Sequence, residues 1–238
     1  MKACVLLIVL LCPSLVYARA LGGSYAYTKL ARSGDTAAKY VAGHTNRLAI
    51  AGYASHWAYG YGSNDLFVSS RTDTQVLADL TTAAGYATGQ SVYTSTITPR
   101  TQSTDGWQTV GANQTQSNAT AEAYRIALNQ SLRASSGVFT RVWELADTVE
   151  NARDGGWWLP APSSQYYTTD GIHPTSNGYL LLKTGVLLAA GVLTNVAGPI
   201  GATQANGGSS DPTDVAGPLG TPHPSAGGGV PTDTAGPL

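Results

Sequence analysis

The chain has 238 residues, a formal net charge of −1 at pH 7, and only 11% charged residues. A chain of this length can bury one sizeable hydrophobic core. Its charge balance offers little attraction to a phosphate backbone, so we predict no nucleic-acid partner.

The first twenty residues have a composition of their own. Lys2 precedes an apolar run over 3–16, and the sequence "ARA" at 18–20 has the small-residue spacing of a signal-peptide cleavage site. This pattern predicts a signal peptide over residues 1–20 and a secreted or periplasmic protein. The apolar run is too short for a comfortable membrane span, so we predict no stable membrane span.

Between residues 21 and 197 the sequence alternates between two patterns, which we interpret as one globular domain. Short runs rich in aromatic and β-branched residues predict strands, and longer runs with leucine and alanine at helical spacing predict helices. The predicted strands are 24–31, 56–61, 90–100 and 137–147, and the predicted helices are 73–87, 118–135 and 176–193. Strands that alternate with helices predict an α/β fold with a parallel sheet covered on both faces.

From residue 198 to residue 238 the chain is rich in glycine, proline, serine and threonine. The sequence "PTDVAGPL" at 212–219 is nearly repeated as "PTDTAGPL" at 231–238. Such a segment buries too little apolar surface to offset the entropy of ordering it. We therefore predict a disordered tail over 198–238.

Three short polar stretches fall where strands should end. They are "ARSGDTA" at 31–37, "GYGSNDLF" at 60–67 and "DGIHP" at 170–174. In open parallel sheets, binding sites form at the carboxyl ends of the strands. We therefore expect the three stretches to meet at one site.

The third stretch contains an acid and an imidazole three residues apart. His173 could accept a proton from a hydroxyl group and later return it to a leaving group. Asp170 could accept a hydrogen bond from the other ring nitrogen and fix the tautomer. An isolated Asp-x-x-His sequence is common in surface turns, so the two accompanying stretches are what favour a catalytic pair.

The first two stretches supply hydrogen-bond donors. The side-chain amide of Asn64 could donate to a developing oxyanion, and the backbone N–H of Gly34 could add a second donor. Each stretch also has a structural interpretation, in which Asn64 occupies a turn and Ser33 or Asp35 caps a helix. We assign Asp65 to bonding within its turn.

The order and spacing of "GSND" at 62–65, "TITPR" at 96–100 and "DGIHPTSNG" at 170–178 resemble the GDSL or SGNH hydrolase family. The resemblance covers residues 20–195. It implies a flavodoxin-like three-layer α/β/α sandwich around a parallel sheet of about five strands. It also implies a serine ester hydrolase of the esterase or acetylesterase kind, which forms an acyl-serine intermediate without a cofactor. The implied substrate is a small ester, such as an acylated carbohydrate or a lipid.

The same resemblance implies the roles of individual residues. Asp170 and His173 match the Asp-x-x-His pair of the family, Asn64 matches its asparagine and Gly34 its glycine. The family's first block, a strand that ends in Gly-Asp-Ser, has no counterpart upstream of Gly34. The nucleophile is therefore open.

Ser14 is one candidate for the nucleophile, because it follows an apolar run over 5–11 that could be the first buried strand. Cys12 and Pro13 stand where the family has glycine and aspartate, which puts the turn that presents the serine in question. Thr36 lies in the second block rather than the first. Ser24 begins a predicted strand instead of ending one.

Ser14 and the signal peptide exclude each other, because cleavage after Ala20 would remove Ser14. The processed chain would then be a catalytically inactive binding module for a glycan or a protein partner. The aromatic stretch at 155–167 could serve such a ligand. Both cysteines lie in residues 1–20 and no two histidines have metal-ligand spacing, so we predict no metal and no cofactor.

Overall fold

A parallel sheet forms the centre of the computed structural model, which describes residues 5–10, 26–30, 32–47, 54–162 and 165–189. The strands in these ranges are β1 (Val5–Leu10), β2 (Ala26–Lys29), β3 (His56–Gly60), β4 (Ser91–Ser95), β5 (Thr101–Ser103), β6 (Gln114–Gln116) and β7 (Arg141–Trp143). The sheet has the order β2-β1-β3-β4-β7, and all of its pairings are parallel. The prediction of a mixed α/β fold with a parallel sheet is confirmed.

The helices connect these strands. They are α1 (Ala37–Gly43), α2 (Ser63–Phe67), α3 (Asp73–Gly85), α4 (Ala119–Ala134), α5 (Ala146–Val149) and α6 (Ser176–Ala189). In the part of the chain that is described, none of the helices combines the length and the apolar character needed to cross a membrane.

The two faces of β3 pack against different helices. Along β3, Trp57 and Tyr59 belong to one buried apolar cluster and Ala58 belongs to another, as the two-residue period of a strand requires. The first cluster includes buried residues of α1, α3 and α4, and the second includes buried residues of α5 and α6. Both faces of β3 are therefore covered.

Strand β1 lies inside the sheet, although its residues fall in the segment that resembles a signal peptide. Leu7 is paired with Thr28 of β2 on one side and with Trp57 of β3 on the other. Without β1, strand β2 would have no partner in this sheet. Ser14, Ser24 and the cleavage position after Ala20 lie outside the described residues, and so does the tail over 198–238.

Three local details differ from the sequence-based expectations. The predicted strand over 137–147 is a strand only at Arg141–Trp143, because the chain then turns into helix α5, whose first N–H, from Ala146, donates to Thr96 Oγ1 at 2.9 Å. Strands β5 and β6 form an antiparallel pair that the sequence pattern did not predict. Helix α1 is capped by Thr36, whose hydroxyl accepts from Lys39 N at 3.1 Å, and not by Ser33 or Asp35.

Candidate active site

The loop that carries Asp170 and His173 holds the two side chains in direct contact. Asp170 Oδ2 lies 2.6 Å from His173 Nδ1. The other carboxylate oxygen, Oδ1, accepts hydrogen bonds from the backbone N–H groups of Ile172 at 2.8 Å and His173 at 2.7 Å. The backbone therefore fixes the carboxylate, and the carboxylate orients the imidazole with Nε2 on the far side of the ring. The side chain of His173 is 61% exposed, so that nitrogen is accessible.

The environment of Asp170 keeps it ionised. Partial burial acts to raise its pKa, but the backbone N–H and ring of His173 and the N–H of Ile172 hold the pKa of Asp170 below its ordinary value. A carboxylate that stays charged near neutral pH can stabilise an imidazolium as it forms.

The lack of a side chain at Gly171 allows this loop to pack closely against β5. Its φ angle is +70°, and a Cβ atom at this residue would lie 1.7 Å from the carbonyl oxygen of Thr101. The carbonyl of Gly171 accepts hydrogen bonds from Thr101 N at 3.1 Å and from Trp158 Nε1 at 3.0 Å. The loop is thus anchored to β5 and to a buried tryptophan, and only glycine permits the close approach.

Asn64 lies in the first turn of helix α2, directly after β3, and its side-chain amide is held at both ends. Nδ2 donates to the carbonyl of Asp35 at 3.2 Å, and Oδ1 accepts from Arg100 at 3.0 Å. Residues 63–67 are helical, so the alternative interpretation of this stretch as a turn does not hold. Among the bonds that the described residues make, the second N–H of Nδ2 has no protein acceptor.

Gly34 immediately precedes the carbonyl that Asn64 contacts. Its φ angle is +69°, in the left-handed region that favours glycine. Apart from its own chain neighbours, no described residue has an atom within 4 Å of the position a Cβ would take. The structure therefore brings Gly34 and Asn64 together, from loops that follow different strands of the sheet.

The carboxylate of Asp65 accepts hydrogen bonds from backbone N–H groups of both stretches. Its Oδ2 accepts from Ala37 N at 3.0 Å and Gly62 N at 3.2 Å, and Oδ1 accepts from Ala38 N at 3.4 Å. The side chain is fully buried. The assignment of Asp65 to a structural role is confirmed, although its bonds reach beyond its own turn to the start of helix α1.

Arg100 contacts the stretch that carries Asn64, and sequence reasoning did not identify it. Its Nε donates to Ser63 Oγ at 3.1 Å, in addition to the bond to Asn64. Burial lowers the pKa of Arg100, and the charge of Asp170 opposes that shift. The signal available in the sequence was the position of Arg100 at the end of the predicted strand over 90–100.

The structure limits the candidates for the nucleophile without identifying one. Thr36 is 3% exposed and its hydroxyl is engaged in capping α1, which makes it unsuitable for attack on a substrate. Ser14 and Ser24 lie outside the described residues. No described residue takes the place of the family's serine by contact with His173 Nε2.

The aromatic stretch at 155–167 contributes mainly to packing in its described part. Trp158 is fully buried, and its Nε1 donates both to the carbonyl of Pro99 at 3.1 Å and to that of Gly171 at 3.0 Å. Residues 163–164 lie outside the described ranges. Trp158 therefore ties the segment after β4 to the loop of Asp170 and His173.

The described ranges contain no cluster of three or more His, Cys, Asp or Glu side chains suited to a metal ion. His44 lies apart from the site, with Nδ1 2.8 Å from the carbonyl of Val41 and its ring stacked on Tyr86.

Comparison with known proteins identifies the fold. No protein-family model and no curated protein matches the chain. Among solved structures, a member of the lipolytic protein G-D-S-L family from Veillonella parvula matches with a TM-score of 0.54 and 15% identity over 79% of this chain and 98% of that one. A GDSL-like lipase candidate from Parabacteroides merdae matches with a TM-score of 0.54 and 13% identity over 81% and 97%.

A third solved structure, TesA, matches with a TM-score of 0.51 and 19% identity, covering 78% of this chain and 97% of that one. Identities this low carry information about the fold and not about the activity. The strand order, the parallel pairing and these matches agree with the resemblance found in the sequence. The chain has the fold of the GDSL/SGNH-type hydrolases.

Proposed function

We propose that this protein is a serine ester hydrolase, which uses Asp170 and His173 as its acid–imidazole pair and Asn64 and Gly34 as oxyanion donors. The observation that carries the proposal is the 2.6 Å contact between Asp170 Oδ2 and His173 Nδ1, made by an imidazole whose ring is exposed. An orienting carboxylate behind an accessible imidazole is the arrangement that activates a hydroxyl nucleophile.

The proposed reaction has two steps. A serine Oγ attacks the ester carbonyl carbon while His173 Nε2 takes the hydroxyl proton, and the leaving alkoxide then receives that proton. Water attacks the acyl-serine in the same way, with His173 as base, and releases the carboxylic acid. In both steps the amide of Asn64 and the N–H of Gly34 donate to the negative carbonyl oxygen.

We propose Ser14 as the nucleophile. The position of β1 between β2 and β3 supports retention of residues 1–20, because removing them would separate two strands of the sheet. Strands β1 and β3 are parallel, so the carboxyl end of β1 lies at the same edge of the sheet as the end of β3 that leads into Asn64. Ser14 follows β1 by four residues in the sequence. Export with cleavage after Ala20 is the alternative, and it would require another nucleophile.

The proposed substrates are small acyl or acetyl esters of a carbohydrate or lipid alcohol, handled without a cofactor. Ester hydrolysis agrees with the names of the structural neighbours, which include lipases. The full three-layer sandwich is part of the same proposal, and it is supported by the two apolar clusters on opposite faces of β3.

The test combines turnover of p-nitrophenyl acetate with identification of the reactive serine. The purified full chain is treated with a fluorophosphonate probe, and mass spectrometry locates the labelled peptide and the amino terminus. We expect a chain that retains residues 1–20 and is labelled at Ser14, with turnover lost in Ser14→Ala and retained in Ser24→Ala.

Two other results would overturn parts of the proposal. An active protein that begins at Leu21 would exclude Ser14 as the nucleophile. Ser24 would then be the next candidate nucleophile, to be tested by substitution. A folded protein with neither label nor turnover would favour the binding module for a glycan or protein partner, which can be followed by glycan-array binding.

A further inference from the structure

The side chain of Arg100 contacts the short helix α2. Its guanidinium donates to Ser63 Oγ and to Asn64 Oδ1, at 3.1 and 3.0 Å, and lies 5.1 Å from the ring centroid of Phe67. The planar guanidinium presents several donors in a fixed geometry, so one side chain can hold two neighbouring acceptors at once.

These contacts determine which way the amide of Asn64 points. Arginine donates hydrogen bonds and accepts none, so the oxygen of the amide must face Arg100. The nitrogen then faces the carbonyl of Asp35, at 3.2 Å, and keeps one N–H for another acceptor. A reversed amide would set its nitrogen against the arginine and its oxygen against the carbonyl of Asp35, which is unfavourable at both ends.

The backbone around Arg100 is itself held firmly. The carbonyl of Ile97 accepts from Arg125 at 2.7 Å and from Asn129 at 3.0 Å, and the N–H of Ile97 donates to Asn129 Oδ1 at 2.7 Å. The carbonyl of Arg100 accepts from Ser117 N at 3.1 Å. Because this backbone is fixed, the side chain of Arg100 can hold Asn64 in a defined position.

The residues beside Arg100 also contact the loop of Asp170 and His173. Thr101 N donates to the carbonyl of Gly171, and Trp158 Nε1 bridges the carbonyls of Pro99 and Gly171. The segment over 97–101 therefore touches both halves of the site, the donor half through the Arg100 side chain and the acid–imidazole half through the Gly171 carbonyl.

We propose that Arg100 is a positioning residue: it aims the free N–H of Asn64 at the reacting oxygen. This inference rests on the proposed function, because the oxyanion is the acceptor that the free N–H would serve. Arg100 acts through Asn64 and does not itself contact the substrate.

The test compares Arg100→Gln with Arg100→Lys, with Asn64→Ala and with the double variant, using p-nitrophenyl acetate. A misdirected catalytic group typically costs up to about 100-fold in rate. We expect Arg100→Gln to lower kcat by about 10- to 100-fold with little change in KM, and Arg100→Lys to recover part of that loss. The double variant should be no slower than Asn64→Ala alone, because both changes remove the same donor.

The control is Arg153→Gln, which removes an equal charge from a side chain that is paired with Asp147 and is 63% exposed. We expect it to leave kcat unchanged. Losses that add in the double variant, or a change in KM alone, would overturn the inference. Urea denaturation of each variant shows whether the protein is folded, and Arg100→Lys serves if Arg100→Gln does not fold.

A second readout does not depend on turnover. The side-chain ¹⁵N–¹H resonances of Asn64, assigned by their absence in Asn64→Ala, should shift or broaden in Arg100→Gln and remain in place in Arg153→Gln. If the wild-type protein hydrolyses no ester, the proposed function fails, and this spectrum alone decides whether Arg100 orients Asn64. Unchanged resonances in Arg100→Gln would overturn the positioning role.

Discussion

The exposed pair of Asp170 and His173 and the buried cluster of Glu122, Arg125 and Glu150 are built from similar charges in opposite environments. In the exposed pair, the side chains are 47% and 61% accessible. In the buried cluster, Arg125 donates to Glu122 Oε1 at 2.6 Å and lies 2.5 Å from Glu150 Oε1, and all three side chains are at most 1% exposed.

The surroundings shift the pKa values of a carboxylate in each region in opposite directions. The pKa of Asp170 is held below its ordinary value, whereas burial raises the pKa of Glu150 to about 7, against the opposing charge of Arg125. One carboxylate is kept charged for an accessible imidazole, and the other is partly neutralised inside the protein. The difference in burial, rather than the kinds of charge present, accounts for the opposite directions of these two pKa shifts.

The largest expected effect follows from removing the accessible imidazole. We expect His173→Ala to lower kcat/KM for p-nitrophenyl acetate by about 10⁴-fold or more, because the nucleophile loses its base. The free energy of unfolding should change by no more than about 0.5 kcal/mol, since the ring is exposed. Steady-state kinetics and urea denaturation measure the two quantities.

The matched control for this prediction is His44→Ala, since His44 lies apart from the site and stacks on Tyr86. It should retain full turnover. If His173→Ala kept more than a tenth of the wild-type activity, the exposed pair would not be the catalytic one.

In the buried cluster, we expect substitutions to affect the free energy of unfolding. We expect Arg125→Met to lower the free energy of unfolding by about 3 to 5 kcal/mol, because it leaves two buried carboxylates without their cation. Arg153→Met, which removes an exposed pairing with Asp147, should cost at most about 1 kcal/mol. Urea denaturation of both variants tests the difference, and equal losses would show that burial does not set the strength of these pairs.

The smallest effect is a dependence of stability on pH. The folded protein keeps a proton on Glu150 up to about pH 7, whereas the unfolded chain releases it near 4.5. This group therefore contributes its full stabilisation below pH 4.5 and loses it as the pH rises towards 7. The loss is about 3 kcal/mol at most.

The comparison that isolates this contribution is the wild type against Glu150→Gln, because the amide cannot ionise. Urea denaturation from pH 4.5 to 7.5 should give a difference between the two proteins that grows in favour of the variant as the pH rises. A difference that stays constant over this range would mean that Glu150 is already charged in the folded protein.

Several elements could be predicted from the sequence because local patterns specify them. The strands at Ser91–Ser95 and His56–Gly60 and the helices at Asp73–Gly85 and Ala119–Ala134 lie within the ranges that periodicity indicated. The contact between Asp170 and His173 was also predictable, since three residues of a turn bring the two side chains together.

Other features depended on distant parts of the chain. Whether the apolar run at the amino terminus is a leader or a strand cannot be decided from its own residues, because hydrophobicity suits both. In the structure it pairs with β2 and β3, which lie far along the chain. The role of Arg100 was equally hidden, because its partners Ser63 and Asn64 precede it by more than thirty residues.

The sequence by itself determined the alternation of strands and helices, the acid–imidazole pair and the polar stretches at the ends of the strands, because each depends on neighbouring residues. The tertiary structure alone decided that β1 occupies the interior of the sheet, that Arg100 holds the amide of Asn64, and that Gly171 must be a glycine. The physical reason is that strand pairing, hydrogen bonds between loops and steric contacts join residues that are far apart in the sequence. The residues around each partner give no indication of which distant residue it will contact.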